Sequence, residues 1–361
     1  MTVKMIAYVA VSPIATALVA RLPRKPVLVV ADLLRAGVAL SLPFVTEAWQ
    51  IYALIFLLQS ASATFTPTFQ AVIPSVLPEE KDYTRALSLS RLAYDLEALV
   101  SPMLAAAVLT VLGYHDLFVG TVLGFLCSAA LVLVTSLPRV QAAEQAPFHE
   151  RVTHGVRLFW TTPELRGLMG MNLVEATATA MVIVNTVVLV QGELGRPQSD
   201  VAVLLGANGL GSMLVALGMP TLLDRLPDRR VMLTGTAALP VLLLAAAGVI
   251  AWTAGSTQWV ALLLLWMLIG AAGSTILTPS SRLLRRNSNE RTAPALFAAQ
   301  FSLSHACFLL TYPIAGGLGA AVDLPAVALV LVGVGLFGLG MTVSVGRRSG
   351  AARPPRGRLS G

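Results

Sequence analysis

Residues 224–233 read Asp224-Arg225-Leu226-Pro227-Asp228-Arg229-Arg230-Val231-Met232-Leu233, and residues 21–28 read Arg21-Leu22-Pro23-Arg24-Lys25-Pro26-Val27-Leu28. Each is a short basic loop broken by Pro and set between two apolar stretches. The arginines that open the shared Arg-Leu-Pro lie 204 positions apart. Two further pairs keep nearly that offset. Thr66-Pro67 matches Thr278-Pro279 at 212. Ser101-Pro102 and the small residues after it match Tyr312-Pro313-Ile314-Ala315-Gly316-Gly317 at 211. One offset held at three places marks a duplicated half.

Outward from these loops the chain is a series of apolar runs. A membrane-spanning helix needs about 20 mostly apolar residues. Eleven runs qualify, at roughly 5–22, 27–45, 51–74, 86–112, 117–137, 165–190, 201–222, 231–254, 260–278, 295–322 and 326–345. Strand-length alternation is absent, which excludes a β-barrel. Of 361 residues, 56% are hydrophobic and 12% charged, with mean hydropathy +0.78. A soluble domain carries about 25% charged residues. The solvent for this chain is lipid.

The expected fold is therefore all-α: a polytopic membrane protein with two pseudo-symmetric helical halves. Residues 1–137 form a first half of five spans, and 165–345 a second half of six. A linker with an amphipathic helix, 138–164, joins them, and a basic tail, 346–361, follows. The span at 165–190 has no repeat partner after residue 1, so the expectation is a missing first helix, lost at a mis-assigned start or by truncation, with a genuine eleven-span protein as the alternative. A signal peptide over 1–20 fits less well, because the repeat maps that segment onto 201–222.

Charge placement sets orientation. Of the 25 Lys and Arg, 21 fall in alternate loops and in the tail. The opposite loops hold only Arg196. By the positive-inside rule the basic loops and the C-terminus face the cytoplasm, as in a multi-pass protein of the inner cell membrane. The net charge of +7 is then a topology signal and no nucleic-acid partner is expected. Cys127 and Cys307 sit in apolar runs without metal-ligand spacing and read as small buried hydrophobes.

Ionisable groups deep in a membrane cost about 2.5–3.5 kcal/mol each and mark function. Glu175 lies near the middle of its span with no partner in its own helix, and Asn172 sits one turn before it. Glu175 is the first candidate for a proton or cation site. Arg91, Asp95 and Glu97 share one span; Arg91 and Asp95, at i,i+4, could simply neutralise each other. Asp32 and Arg35, at i,i+3, read as a structural pair. His305 lies about mid-span, where an imidazole suits proton coupling or simply fills the core. Phe65, Phe69, Tyr94, Phe308 and Tyr312 could meet a lipophilic substrate or serve as packing.

The loops resemble the signature of the major facilitator superfamily, roughly G-x-x-x-D-R-x-x-R-R. The second half matches at Asp224, Arg225, Arg229 and Arg230, with Gly218 slightly displaced. The first half keeps Arg21, Arg24 and Lys25 but has Thr16 and Ala20 where Gly and Asp are usual. The resemblance implies gating by these loops, twelve spans, and alternating access of two halves about a central cavity. A second signature, the antiporter motif ending G-P-x-x-G-G, is degenerate at Ser101, Pro102, Ala105 and Ala106 and closer at Pro313, Gly316 and Gly317. Pro102 and Pro313 are the implied helix bends. The Arg that many proton antiporters carry in the fourth helix is absent. Among members the chain looks most like bacterial drug and macrolide-type exporters, and some nickel-resistance exporters look similar.

The implied function is secondary transport: proton-coupled export of small lipophilic compounds, with protons and the lipid bilayer as partners. Export of a divalent metal and a non-transporting membrane receptor are the alternatives. No cofactor, resident metal or enzymatic activity is expected. Gly333-x-Gly335-x-x-Gly338 lies inside an apolar run without a preceding strand and reads as helix packing. His149 and His154, at i,i+5, share no helical face for zinc.

Overall fold

The computed structural model describes residues 2–109, 114–137, 147–319 and 321–351. Among them every regular element is helical. The chain opens with α1 (Thr2–Ile6), a π-helical turn (Ala7–Val11) and α2 (Ser12–Val19) in direct succession. There follow α3 (Arg24–Ser41), α4 (Ala48–Val76), α5 (Glu80–Leu109) and α6 (Tyr114–Val134). The linker holds α7 (Phe148–Thr161). Beyond it come α8 (Pro163–Val187), a π-helical stretch (Val188–Glu193), α9 (Gln198–Arg225), α10 (Asp228–Trp252), α11 (Gly255–Arg286), α12 (Ala293–Gly319) and α13 (Leu324–Ala351).

Among the described residues nine helices are long and apolar enough to cross a membrane. The two other expected spans fall on Lys4–Val19, which is shorter, and on α5, whose middle carries Arg91, Asp95 and Glu97. Gly195 and Gly255 take positive φ, 59° and 66°, at the joints before α9 and at the start of α11. A side chain there would be strained, so glycine sets these turns.

The second half packs around α8, which touches α9, α10, α11, α12 and α13. In its most apolar window 67% of residues are buried. The helix carries Gly167, Gly170, Asn172, Glu175, Thr177 and Asn185 among its apolar residues. In a membrane helix such small and polar side chains face protein rather than lipid, so α8 takes the centre. In the first half, the α6 window is only 6% buried and α6 rests mainly on α3. That corrects one sequence expectation: Cys127 of α6 is exposed, while Cys307 is buried. Peripheral α6 has too few neighbours to cover both its faces.

Small residues let backbones meet. Gly211 of α9 faces the Met267 carbonyl of α11, and Gly270 of α11 faces the Asn208 carbonyl of α9. Gly170 of α8 and Gly338 of α13 do the same for their crossing, where a Cβ on Gly338 would lie 2.8 Å from the Gly170 carbonyl oxygen. The G-x-G-x-x-G run is thus part of helix packing, as close approach without side chains requires. Gly211→Ala is expected to destabilise the protein by ~1–3 kcal/mol through overpacking. Differential scanning fluorimetry should show a lower Tm, with Gly218→Ala, which meets open space, unchanged. Equal melting of both variants would contradict this.

The two groups of helices meet where α5 packs on α9 and α11, and where α12 packs on α2, α4 and the first π-helical turn. The linker helix α7 lies against α2, α8 and α12. Its apolar face docks on protein rather than lying free on a membrane surface. Phe159 is fully buried, and Gly155 abuts the Ala295 carbonyl. Phe148 and Trp160 stay exposed.

Candidate functional site

The sequence scatters its mid-membrane polar residues over four helices, and the fold gathers most of them where the halves meet. On α8, Asn172 and Glu175 share one face. Asn172 and Gln300 of α12 exchange two hydrogen bonds, Nδ2 to Oε1 at 3.0 Å and Nε2 to Oδ1 at 3.1 Å. Glu175 is buried, and its Oε1 accepts a hydrogen bond from Thr179 Oγ1 at 2.8 Å. Its other oxygen lies over Gly273 of α11, where a Cβ would come within 2.9 Å of Oε2. Glycine leaves the carboxylate room.

From the other half, Arg91 and Asp95 of α5 stand within electrostatic reach of Glu175. Arg91 grips Asp95 at both oxygens, Nη2 to Oδ1 at 2.8 Å and Nε to Oδ2 at 3.2 Å. The same Nε donates to Ser212 Oγ of α9 at 3.0 Å. So the pair is more than self-neutralising: it ties α5 to α9 beside a buried carboxylate. Glu97 is exposed and lies nearer Tyr8 and Tyr94.

Beside this cluster α12 presents a ladder of rings. His305 packs on Phe301 at 4.3 Å, Phe308 at 5.8 Å and Tyr8 at 4.7 Å between centroids, and Phe308 packs on Tyr312 at 5.4 Å. Its Nδ1 lies 2.6 Å from the Phe301 carbonyl oxygen. Tyr8 sits in the first π-helical turn, a local geometry common at functional sites. Nothing in the sequence marks that turn. In the first half Asp32 and Arg35 pair, as their spacing suggests, and the guanidinium lies between Phe65 at 4.1 Å and Phe125 at 4.7 Å.

A second site closes the end of the bundle that carries the basic loops. Arg282 of α11 is buried and reaches Glu80, Thr84 Oγ1 at 2.6 Å and Asp228 at 3.3 Å. Arg286 reaches Glu80 and lies 2.9 Å from Asp228. Glu80 opens α5 and Asp228 opens α10, so two arginines bridge the halves. Arg285 adds a contact to the Pro78 carbonyl and a guanidinium 4.8 Å over Tyr83. Arg24 donates to the Glu290 carbonyl at 3.0 Å and to the Ala71 carbonyl at 3.2 Å.

The gating residues expected from the loops divide. Arg24 joins the closure. Arg21, Asp224, Arg225, Arg229 and Arg230 are exposed, and none has an ion pair among the described residues; Lys25 is half-buried and also lacks one. In the second loop the paired acid is Asp228, not Asp224, because Asp228 begins α10 and faces α11. Sequence reasoning missed this network: Arg282 and Arg286 were counted as topology charges. The available signal was an acid at the first position of a helix beside a basic loop, Glu80 of α5 and Asp228 of α10. Pro313 lies inside α12, and Pro102 falls in α5 where side chains are outside the described residues.

The network has a pH signature. The Arg286 hydrogen bond, then the Arg282 and Arg286 charges, outweigh burial and hold the Glu80 carboxyl below its usual 4.5. A lowered folded value means the stabilisation is complete above the unfolded pKa and fades as pH falls through the folded one. Glu80 is half exposed, so the effect is small. Hydrogen exchange at the start of α5, corrected for intrinsic rates, should be constant from about pH 6 to 8 and rise below about pH 4. Flat protection down to pH 3 would contradict the pairing.

These features sit in a chain with clear relatives. A model of the Major Facilitator Superfamily matches twice, over residues 1–188 and 168–359. Macrolide efflux protein A of Enterococcus faecalis is 28% identical over 138 residues, 37% of this chain and 42% of that protein. The match thus spans less than half of that relative. The human organic anion transporter MFSD10 (TETRAN) aligns with TM-score 0.77 at 13% identity, covering 94% of this chain and 82% of that one. The Escherichia coli fucose:proton symporter FucP aligns with TM-score 0.72 at 14% identity, covering 95% and 89%. Both structures share the helical architecture. With two family matches that together span nearly the whole chain, this multi-pass membrane protein belongs to the Major Facilitator Superfamily.

Proposed function

We propose that the chain is a proton-coupled exporter of small lipophilic compounds that works by alternating access. The observation that carries this is Glu175, a buried carboxylate at the junction of the halves, beside the Arg91–Asp95 pair of the opposite half. The working parts are two helical halves, 1–137 and 165–345, with eleven spans between them. The linker 138–164 joins them, and the tail 346–361 follows. Glu175 takes a proton while the site faces outside and gives it up facing inside. Each change in its charge alters its attraction to Arg91, which Ser212 and Asp95 hold at the moving interface. Proton state and rocking are thereby linked.

Phe301, His305, Phe308, Tyr312 and Tyr8 supply an aromatic wall for a lipophilic substrate. The macrolide efflux relative supports the cargo class, and the fucose:proton symporter shows that this fold can move protons with a solute. The test is an accumulation panel in an export-deficient host. Expression should lower accumulation of at least one lipophilic compound, and a protonophore should restore it. A panel unchanged by expression would overturn the export reading.

The basic end and the C-terminus face the cytoplasm of the inner membrane. Alkaline phosphatase fused after Gly361 should stay inactive. Strong activity would reverse the orientation and, with it, the direction of transport.

A further inference from the structure

At the basic end, outside the network that joins the halves, a crevice of about 200 Å³ opens between the linker helix and the second half. Trp160, in the last turn of α7, Arg166, in the first turns of α8, and Met341, Ser344 and Val345 of α13 line it. Arg166 has neither a side-chain hydrogen bond nor an ion pair among the described residues, and its Nε is buried. Nearby charges do not answer it. Glu164, two residues earlier, projects from the far side of α8 and is exposed. Arg157 of α7 is exposed and of like sign. A partly buried cation without an anion is costly, and an anion entering the crevice offsets that cost.

The place of the crevice says where the anion comes from. Arg166 lies three residues after Pro163, where the apolar span begins. That is ~4.5 Å along the axis, at headgroup level. Trp160 is 47% exposed beside it, as an indole at a membrane–water interface should be. Met341 and Val345 add apolar lining, and Ser344 adds a hydroxyl that donates to the Met341 carbonyl at 2.9 Å.

We propose that this crevice is a binding site for the phosphate of an acidic phospholipid headgroup, with Arg166 as its anchor and Trp160 as its wall. The phosphate oxygens meet the guanidinium, the acyl chains run along α13, and Trp160 packs over the glycerol region. The lipid would then tie the linker helix α7 to the second half. The site rests on the membrane reading but not on proton coupling, and its readout needs no transport.

The test uses the full chain in a mild neutral detergent, followed by thermal unfolding. Phosphatidylglycerol should raise the Tm more than phosphatidylcholine of the same chains. Arg166→Gln should weaken the apparent phosphatidylglycerol affinity about fivefold, one basic residue's share at a membrane surface. Arg166→Lys should keep most of it, and Trp160→Ala should weaken it without changing the charge. If Arg166→Gln does not fold, a retained preference for phosphatidylglycerol over phosphatidylcholine in wild type, lost in Trp160→Ala, still supports the site. Undiminished phosphatidylglycerol stabilisation of Arg166→Gln overturns it, as does equal stabilisation of wild type by both lipids. An equal effect from inorganic phosphate alone, lost in Arg166→Gln, would assign the crevice to free phosphate and overturn the lipid. Loss of transport with an intact lipid effect would count against the exporter reading alone.

Discussion

Glu175→Gln is expected to abolish transport driven by a pH gradient, lowering the initial rate by roughly 100-fold or more, the usual share of a proton-transferring group. The amide keeps the side-chain volume and can still accept from Thr179, so the fold should hold. Removing a buried carboxylate should leave the Tm equal to or above that of wild type. Counterflow, in which one substrate molecule exchanges for another without net proton movement, should persist. Persistence of counterflow separates coupling from binding. Gradient-driven rates at the wild-type level would remove Glu175 from the mechanism. A variant dead in both modes would make it a substrate ligand instead. Gly273→Ala offers an independent check, since its methyl presses on Glu175 Oε2 without changing any charge.

Arg282→Ala carries the second large effect. Its guanidinium and the Asp228 carboxylate are both buried, at 8% and 6% side-chain exposure. Truncating one partner of a buried pair costs about 3–5 kcal/mol, because the other charge is left in place. Arg286 remains beside Asp228, so the low end of that range is expected. Since Arg282 also reaches Glu80 and Thr84 of the other half, part of the loss should fall on one conformation only. The basic end should open more often, read as faster labelling of a cysteine placed at Ser281. Asp228→Asn in the same background should recover part of the lost Tm, because it removes a buried charge left with Arg286 as its ion-pair partner. A single variant with wild-type Tm and labelling would show that the network closes nothing.

Much of the fold was legible. The 204-residue offset between Arg21 and Arg225, and the apolar runs on either side, were enough for a helical membrane protein with a duplicated half. Hydropathy reports which segments prefer lipid, and the positions of α3, α4 and α8–α13 follow from it. It does not report which face of a helix meets protein. For that reason Cys127 was misread, and the docking of the apolar face of α7 on α2, α8 and α12 was not legible. The candidate site was half legible. Glu175, Asn172, Arg91 and Asp95 stand out because charge and amide are rare at that depth. Their partners Gln300, Thr179, Ser212 and Gly273 are ordinary residues made relevant only by packing. The closure at the basic end was hidden for a different reason: Arg282 and Arg286 belong to a group of basic residues large enough to be explained by topology alone. Only distance shows that two of them are spent on Glu80 and Asp228.

The central claim is movement of a solute against its gradient at the expense of a proton gradient. Its most direct test is purified protein in sealed liposomes, given a fluorescent lipophilic amine and an imposed pH gradient. The account expects the compound to move uphill, proton flux to accompany it, and both to stop on addition of a protonophore. Uphill movement indifferent to the protonophore, or movement only down the compound's own gradient, would contradict it.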